Sequence, residues 1–307
     1  MKLDFHALIL GLILGLSPAT HARTGLCPNP NTLTGRPDPG HFHLITGDED
    51  KDAVPLPCNS CEDPNNAEFS ACRIYQFLHS PACKGRNCKD DQGIFKLHRT
   101  FKNPFGLQYD TRHLDPTRYP RASGENCRFL IWALQPSIGV EDIQTRTRHP
   151  YWELAFRASQ HWVRPAFPRR EVGVVIQSAL TRGQHQLHLH IGRLYSDYRR
   201  AIDTLQERPR VTQRVIIRDY LFYAKYIPNA PGKGPFTGAN PFDVASAMIP
   251  EGAPGIPEYG VLATMAPHRK GIFVLTAKGL DRDQLNFHSD KACRMIFPGE
   301  SEKTFKE

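Results

Sequence analysis

Residues 183–192, GQHQLHLHIG, alternate polar and aliphatic side chains. On a β-strand, successive side chains point to opposite faces. A strand over residues 184–191 therefore divides its side chains into a polar face of Gln184, Gln186, His188 and His190, and a second face of His185, Leu187, Leu189 and Ile191. We expect the aliphatic face to pack on a core. Because buried imidazoles and amides are costly without partners, the other face is expected to line a polar pocket.

The two histidines of the polar face, His188 and His190, are called the imidazole row below. Three interpretations of this imidazole row are open. A neutral imidazole can attack a phosphoryl group while neighbouring donors hold its oxygens. Two histidines on one strand face can also chelate a metal, but a further ligand is needed and Arg193, which follows closely, would repel a cation. The third interpretation is a pair of ordinary histidines with satisfied hydrogen bonds, against which the glutamines and the regular aliphatic face argue.

The residues before this strand favour phosphate chemistry. A predicted strand over residues 173–176 ends in the polar residues Gln177 and Ser178, and a turn containing Arg182 follows. We expect Arg182 and the turn amides to lie near the start of the imidazole row. Arginine forms bidentate contacts with phosphate oxygens.

The N-terminus has the features of an export signal. Lys2 precedes the apolar residues 7–16, and small residues at 19–22 suit cleavage after Ala22. The apolar run is shorter than the roughly 20 residues that span a bilayer. We predict a signal peptide over residues 1–22 and a secreted or extracytoplasmic protein, with an uncleaved N-terminal membrane anchor as the alternative.

The eight cysteines agree with export, because an even number in an oxidising compartment indicates disulfides. They are Cys27, Cys58, Cys61, Cys72, Cys83, Cys88, Cys127 and Cys293. Cys58 and Cys61 have the spacing of half a zinc site, but no matching pair follows. Disulfides are therefore favoured over zinc, and their pairing stays open.

The 307 residues carry a formal net charge of +8, which favours anionic partners. Residues 23–91 are predicted to be irregular and rich in cysteine, and residues 92–307 to form the catalytic domain. Strands are predicted at residues 93–98, 128–134, 173–176, 184–191, 214–227 and 271–276, with helices at 151–163, 196–207 and 242–248 and a loop over 100–125. This mixture predicts an α+β fold in which helices flank an antiparallel sheet.

Two further patterns carry less weight. His41 and His43 precede the acidic residues Asp48 and Glu49, but this arrangement alone is a weak metal motif. The basic and aromatic residues 218–227 suit an amphipathic strand and contain no nucleic-acid recognition motif. We therefore predict neither a metal site nor a nucleic-acid partner.

Beyond these patterns, the segment VVIQSALTRGQHQLHLHIG, residues 174–192, resembles the signature region of CDP-diacylglycerol pyrophosphatases of the histidine-triad superfamily. PYWELAFRAS before it and YLFYAK after it are also similar to the family. So are PFDVASAMIPEGAPGIPEYGVLAT, GIFVLTAKGL and the cysteine at position 293. The resemblance covers roughly residues 92–293 and implies a histidine-triad-like fold.

The resemblance also implies roles for individual residues. It makes His188 the nucleophile of a nucleotidyl-histidine intermediate and assigns His190 to the phosphate oxygens or the leaving oxygen. Gln186 stands where the superfamily has its first histidine, and Gln177 stands where the family has asparagine. The polar signature positions implied to bind substrate phosphate are Gln177, Ser178, Arg182 and Gln184.

The implied activity is metal-independent and cofactor-free hydrolysis of CDP-diacylglycerol to CMP and phosphatidate, near an anionic membrane surface. Two alternatives remain open. One is hydrolysis of a soluble nucleotide, such as a dinucleoside polyphosphate or a phosphoramidate. The other is a secreted binding protein that has lost the chemistry.

Overall fold

In a computed structural model of the protein, the structure describes residues 72–90, 93–99, 103–110, 125–135, 150–178, 181–184, 186–229, 234–236, 239–250, 258–268, 271–282, 284–289 and 293–295. The predicted signal peptide, the cysteines before residue 72, and His41 and His43 lie outside the described residues. Within these ranges, no helix is both long and apolar enough to cross a membrane.

The secondary structure consists mainly of short strands. The strands are β1 (Asn87–Asp90), β2 (Gly93–His98), β3 (Phe105–Asp110), β4 (Glu125–Asn126), β5 (Phe129–Ala133), β6 (Val163–Arg164), β7 (Val172–Ile176), β8 (His188–Leu194), β9 (Thr212–Ile217), β10 (Tyr220–Pro228), β11 (Tyr259–Met265), β12 (Gly271–Lys278), β13 (Leu285–Asn286), β14 (His288–Ser289) and β15 (Arg294–Met295). The α-helices are α1 (Arg73–His79), α2 (Pro150–Arg157), α3 (Ser196–Asp203) and α4 (Pro241–Ser246). A π-helical turn, Ala158–Trp162, continues α2, and 3-10 turns occupy Pro81–Cys83 and Arg169–Glu171.

One antiparallel sheet dominates the described chain. Ten of its eleven strands follow the order β1-β2-β3-β5-β8-β7-β11-β12-β10-β9, and the eleventh, β13, pairs with β8 beside this path. The neighbouring strands run antiparallel, including β5, β7 and β13 around β8. The prediction of an α+β protein with an antiparallel sheet is confirmed. The histidine-triad-like arrangement stays a prediction.

The alternation along β8 separates a core face from a histidine face. Leu189 and Ile191 are fully buried in the largest apolar cluster, where Trp152 and Phe156 of α2 pack beside them. His188 and His190 point to the opposite face. On that face, α1 packs in a cluster over β2 and β5, and α3 packs in a cluster over β7, β11 and β12. By strand order, the histidine pair lies between these two clusters.

Several predicted elements differ in extent; the helix predicted over 196–207, for example, ends at Asp203. The strand predicted over residues 184–191 begins only at His188 and continues to Leu194. The helix predicted over 151–163 ends as a π-helical turn, and Val163 already belongs to β6. The strand predicted over 214–227 is a hairpin of β9 and β10, which turns at Arg218 with a positive φ of 52°.

Regular structure also occurs where the sequence predicted none. Strand β3 lies within the predicted loop over residues 100–125 and pairs with both β2 and β5. Helix α1 and strand β1 lie within residues 23–91, which were predicted to be irregular. Since β1 pairs with β2, the main sheet begins on the N-terminal side of residue 91. The predicted strand over residues 271–276 is confirmed as β12, while β11 beside it was missed.

Two disulfides join described cysteines. Cys83 pairs with Cys88 beside α1, and Cys127 pairs with Cys293 across a sequence separation of 166. Cys72 is also disulfide-bonded. The preference for disulfides over zinc is confirmed for these five cysteines. The longer link attaches the C-terminal segment to the start of β5, next to the strand that carries the histidines.

Candidate active site

His188 occupies the first position of β8 and is held in one tautomer. Its Nδ1 lies 2.8 Å from the backbone carbonyl oxygen of Gln186. A carbonyl oxygen only accepts hydrogen bonds, so Nδ1 must carry the proton and donate it. In the neutral ring, Nε2 then holds the free electron pair, which is the requirement for a nucleophilic imidazole.

The surroundings of His188 keep its imidazole neutral. The ring stacks on the indole of Trp132, with centroids 4.3 Å apart, and its side chain is buried. Burial is the main cause that lowers the pKa of His188 from 6.5 to about 3, and the positive charges of Arg182, Arg128 and Arg282 lower it further. The same positive field favours a ligand that carries negative charge.

His190 lies beside His188 and is oriented by Gln177. The two imidazoles meet edge to face with centroids 5.0 Å apart, and His190 Nε2 lies 2.8 Å from Gln177 Oε1. The amide nitrogen of Gln177 donates to the Thr181 carbonyl at 2.9 Å and to the Asp281 carboxylate. These two acceptors fix the amide orientation, so the Nε2–H of His190 donates to the amide oxygen.

Gln186 contributes its backbone rather than its side chain to the orientation of His188. Its amide nitrogen donates to the carbonyl oxygens of Ala133 at 2.5 Å and Gln135 at 2.9 Å. These contacts attach the segment before β8 to the end of β5. The backbone carbonyl of Gln186, and not its side-chain amide, therefore accepts the hydrogen bond that orients the His188 ring.

The remaining predicted residues surround the turn before β8. Ser178 is fully buried, its Oγ lies 3.0 Å from Thr181 Oγ1, and its carbonyl accepts from the Arg182 amide at 3.1 Å. Arg182 is close enough to lower the pKa of His188. Gln184 instead reaches towards α1, where its Oε1 accepts from the Ile74 amide at 3.2 Å.

Four residues at the site were missed by the sequence analysis: Trp132, Arg128, Asp281 and Arg282. Arg128 forms an ion pair with the buried Asp110 at 3.1 Å, and its guanidinium lies 5.4 Å from the Phe287 ring centroid. One local signal existed, because Arg128 directly precedes the apolar run of β5 and a charge there is unusual. Asp281 and Arg282 follow β12 and become neighbours of the histidines only through the sheet order.

The chemistry of these side chains suits an anion better than a metal. Within the described ranges, no three His, Cys, Asp or Glu residues form a group that could hold a metal ion. Three arginine charges act on His188 and would repel a cation. They would attract phosphate oxygens for the same reason.

Burial of a neutral His188 predicts acid-dependent stability. The unfolded chain protonates this imidazole below pH 6.5, whereas the folded protein protonates it only near pH 3. The unfolded state therefore binds the additional proton in this interval, so stability is lost as the pH falls, by about 1.4 kcal/mol per pH unit.

Urea unfolding at pH 6.5 and pH 4.5 tests this, with the lower pH lying inside that interval. We expect His188→Gln to lose about 2 kcal/mol less than the unchanged protein between these two pH values. The exposed His268 provides the matched control, His268→Gln, which should lose as much as the unchanged protein. Equal losses in all three proteins would contradict a neutral buried His188.

Together, these groups suit an enzyme that attacks a phosphorus centre. A neutral imidazole with a free Nε2 has the electron pair that a nucleophile needs, and guanidinium groups are able to stabilise a developing oxyanion. The sequence model of the CDP-diacylglycerol pyrophosphatase family matches residues 120–295, more than half of the 307-residue chain. The chain therefore belongs to this family. No individual curated protein matches it.

Proposed function

We propose that the protein hydrolyses the pyrophosphate bond of CDP-diacylglycerol to give CMP and phosphatidate, and that its fold belongs to the histidine-triad superfamily. Family membership supports the substrate. The observation that carries the mechanism is the Nδ1–H hydrogen bond from His188 to the Gln186 carbonyl, because it leaves Nε2 free to attack.

The reaction proceeds through two displacements at the cytidylyl phosphorus. His188 Nε2 attacks this phosphorus, so an N–P bond forms while the anhydride P–O bond breaks and phosphatidate leaves with the electron pair. Water then attacks the nucleotidyl-histidine, the N–P bond breaks and CMP is released. The water proton passes to solvent, and the lone pair of Nε2 is restored.

His190 and the arginines act on the phosphate oxygens in this proposal. The Nε2–H of His190 donates to Gln177 Oε1, so a bound phosphate oxygen would compete with the amide for this proton. Arg128, Arg182 and Arg282 supply the positive field that stabilises charge on the five-coordinate transition state. Ser178 and the turn amides position Arg182, and Gln184 fixes the turn against α1.

We also propose that the chain is exported, with residues 1–22 as the signal peptide. The basic composition suits work at an anionic membrane surface, where a lipid nucleotide would be presented. The disulfides Cys83–Cys88 and Cys127–Cys293 suit an oxidising compartment. An uncleaved apolar segment would instead tether the same domain to the membrane.

CMP release from CDP-diacylglycerol in detergent micelles tests the substrate, with CDP-alcohols and dinucleoside polyphosphates as competitors. We expect turnover of the lipid nucleotide and weak competition by the soluble compounds. Preferred turnover of a dinucleoside polyphosphate or a phosphoramidate would replace the proposal with a soluble-nucleotide hydrolase. Binding without release of nucleotide from any donor would identify a binding protein.

Turnover should not depend on a divalent metal, because the imidazole attacks directly and arginines provide the positive charge. We expect CMP release to change less than about twofold after dialysis against EDTA, compared with a mock-dialysed sample. Loss of activity that added Mg²⁺, Mn²⁺ or Zn²⁺ restores would overturn this expectation.

A further inference from the structure

The β9–β10 hairpin and the residue directly before it contain the large aliphatic side chains that the described part of the chain leaves exposed. They are Val211 at 45%, Ile216 at 72% and Leu221 at 37% exposure. Ile217 and Phe222 of the same hairpin are buried in the cluster that includes α3. A local concentration of exposed aliphatic groups indicates an interaction surface.

The register of the hairpin brings two of these side chains together. Ile216 is the cross-strand partner of Leu221, so both point to the same face, opposite to the buried Phe222. Arg214 lies two positions before Ile216 on that face, and its guanidinium lies 5.9 Å from the Tyr223 ring centroid. The result is an aliphatic pair next to an exposed positive charge.

The hairpin is held firmly at its turn. Arg218 donates to the Asp197 carboxylate of α3 at 2.7 Å, and its guanidinium lies 4.9 Å and 5.1 Å from the ring centroids of Tyr195 and Tyr198. The aliphatic pair next to this turn is therefore presented on a fixed support. Strand β9 is also the last strand in the order of the main sheet within the described part of the chain.

Charge identifies the partner. Residues 208–228 contain five basic residues and one acidic residue, a net charge of +4 that falls to +3 when Asp197, the ion-pair partner of Arg218, is included. A second copy docked through this face would bring arginines against arginines. An anionic lipid surface would neutralise them, and exposed aliphatic side chains beside Lys and Arg suit insertion between lipid head groups. We propose that the β9–β10 hairpin docks the protein on an anionic phospholipid bilayer.

The strand registers give the position of the hairpin relative to the histidines. The registers of successive strands align His190 with one row of residues on the same face of the sheet. These residues are Val175, Leu262, Leu275, Ala224 and Gln213. Seen from this row, His188 and Ile216 lie in the same direction along their strands, but their side chains point to opposite faces of the sheet, because Gln213 and Ala224 share the face of His190. The reason for docking, which is access to a lipid nucleotide, rests on the proposed function. Docking itself can be measured without that substrate.

A tryptophan probe tests the docking in the full-length chain, with vesicles that contain phosphatidylcholine and phosphatidylglycerol but no CDP-diacylglycerol. The three native tryptophans are buried, so Leu221→Trp reports the hairpin. We expect lipids brominated near the head group to quench its fluorescence. A tryptophan at exposed Lys84, far from the hairpin in strand order, should show no such quenching.

Two substitutions then separate the aliphatic and charge contributions. Ile216→Ser in the Leu221→Trp protein should reduce the quenching at a given lipid concentration at least fivefold, because it removes the most exposed aliphatic side chain. Arg214→Gln should raise the lipid concentration for half-maximal quenching about fivefold, since one basic residue near an anionic surface strengthens binding by about that factor. Arg294→Gln removes another exposed charge and should leave it unchanged.

Equal quenching at positions 221 and 84, or quenching that neither hairpin substitution reduces, would overturn the proposal. A shift from dimer to monomer in Ile216→Ser, without an effect on quenching, would assign the surface to a second copy instead. CMP release from detergent micelles is measured for the same variants. Normal release with lost docking separates this surface from the active site, whereas absent release in every variant, including the unchanged protein, would refute only the proposed function.

Discussion

Replacing His188 with alanine is expected to slow CMP release from CDP-diacylglycerol by at least about 10⁴-fold, the scale on which enzymes lose activity with their nucleophile. The reason is specific to this ring. Its Nδ1–H donates to the Gln186 carbonyl, and burial keeps its pKa near 3, so Nε2 holds a free electron pair at neutral pH. Steady-state CMP release in detergent micelles measures the effect.

The control for this variant is His268→Ala, which removes an exposed imidazole and should leave the rate unchanged. Thermal unfolding of His188→Ala must show a cooperative transition, because the substitution also removes the ring that stacks on Trp132. A folded His188→Ala protein that retains more than about a hundredth of the rate would assign the nucleophile to another group.

The second large effect is expected from the His190–Gln177 pair. His190→Ala should reduce CMP release about 10³-fold, because a donor to the phosphate oxygens is lost. Gln177→Leu should cost about 10²-fold, because the amide joins the Nε2–H of His190 to Asp281 and the Thr181 carbonyl and thereby sets the ring orientation.

The double variant separates a shared role from two independent ones. If Gln177 acts through His190, Gln177→Leu should cost less than about threefold in the His190→Ala background. Multiplicative losses would instead give Gln177 its own contact with substrate. The exposed Gln206 provides the matched control, and Gln206→Leu should leave the rate unchanged.

The alternation of side chains predicted the central geometry because it reflects a period that every strand obeys. His188 and His190 were expected on one face and Leu189 and Ile191 on the other, and β8 places them so. The start of this strand was predicted four residues too early, at residue 184 instead of His188. The reason is a contact distant in sequence, the hydrogen bonds that Gln186 donates to Ala133 and Gln135.

The errors elsewhere come from turns and pairings without a local signature. Arg218 and Asp219 lack the glycine or asparagine typical of a tight hairpin, so the alternation over residues 214–227 predicted one strand. Strand β3 follows Asn103 and Pro104, which indicate a turn, and includes Gly106. Its pairing with β2 and β5 overrides those preferences.

The local motif predicted the two histidines and Gln177, but the residues that determine their chemistry come from other strands. Trp132 stacks on His188 because β5 is the neighbour of β8, with these two residues in register. Asp281 reaches the Gln177 amide from the end of β12 across β11. No spacing rule along the chain connects these positions, so only the sheet order brings them together.

Trapping the covalent intermediate tests the central proposal most directly. CDP-diacylglycerol labelled in the cytidine is mixed with the protein, the reaction is stopped in alkali, and the digested protein is analysed by mass spectrometry. A phosphoramidate survives alkali and is released by acid. We predict an acid-labile cytidylyl group on His188, absent from His188→Ala. Release of CMP at the normal rate with no protein-bound label, or with label on another residue, would contradict nucleophilic attack by His188.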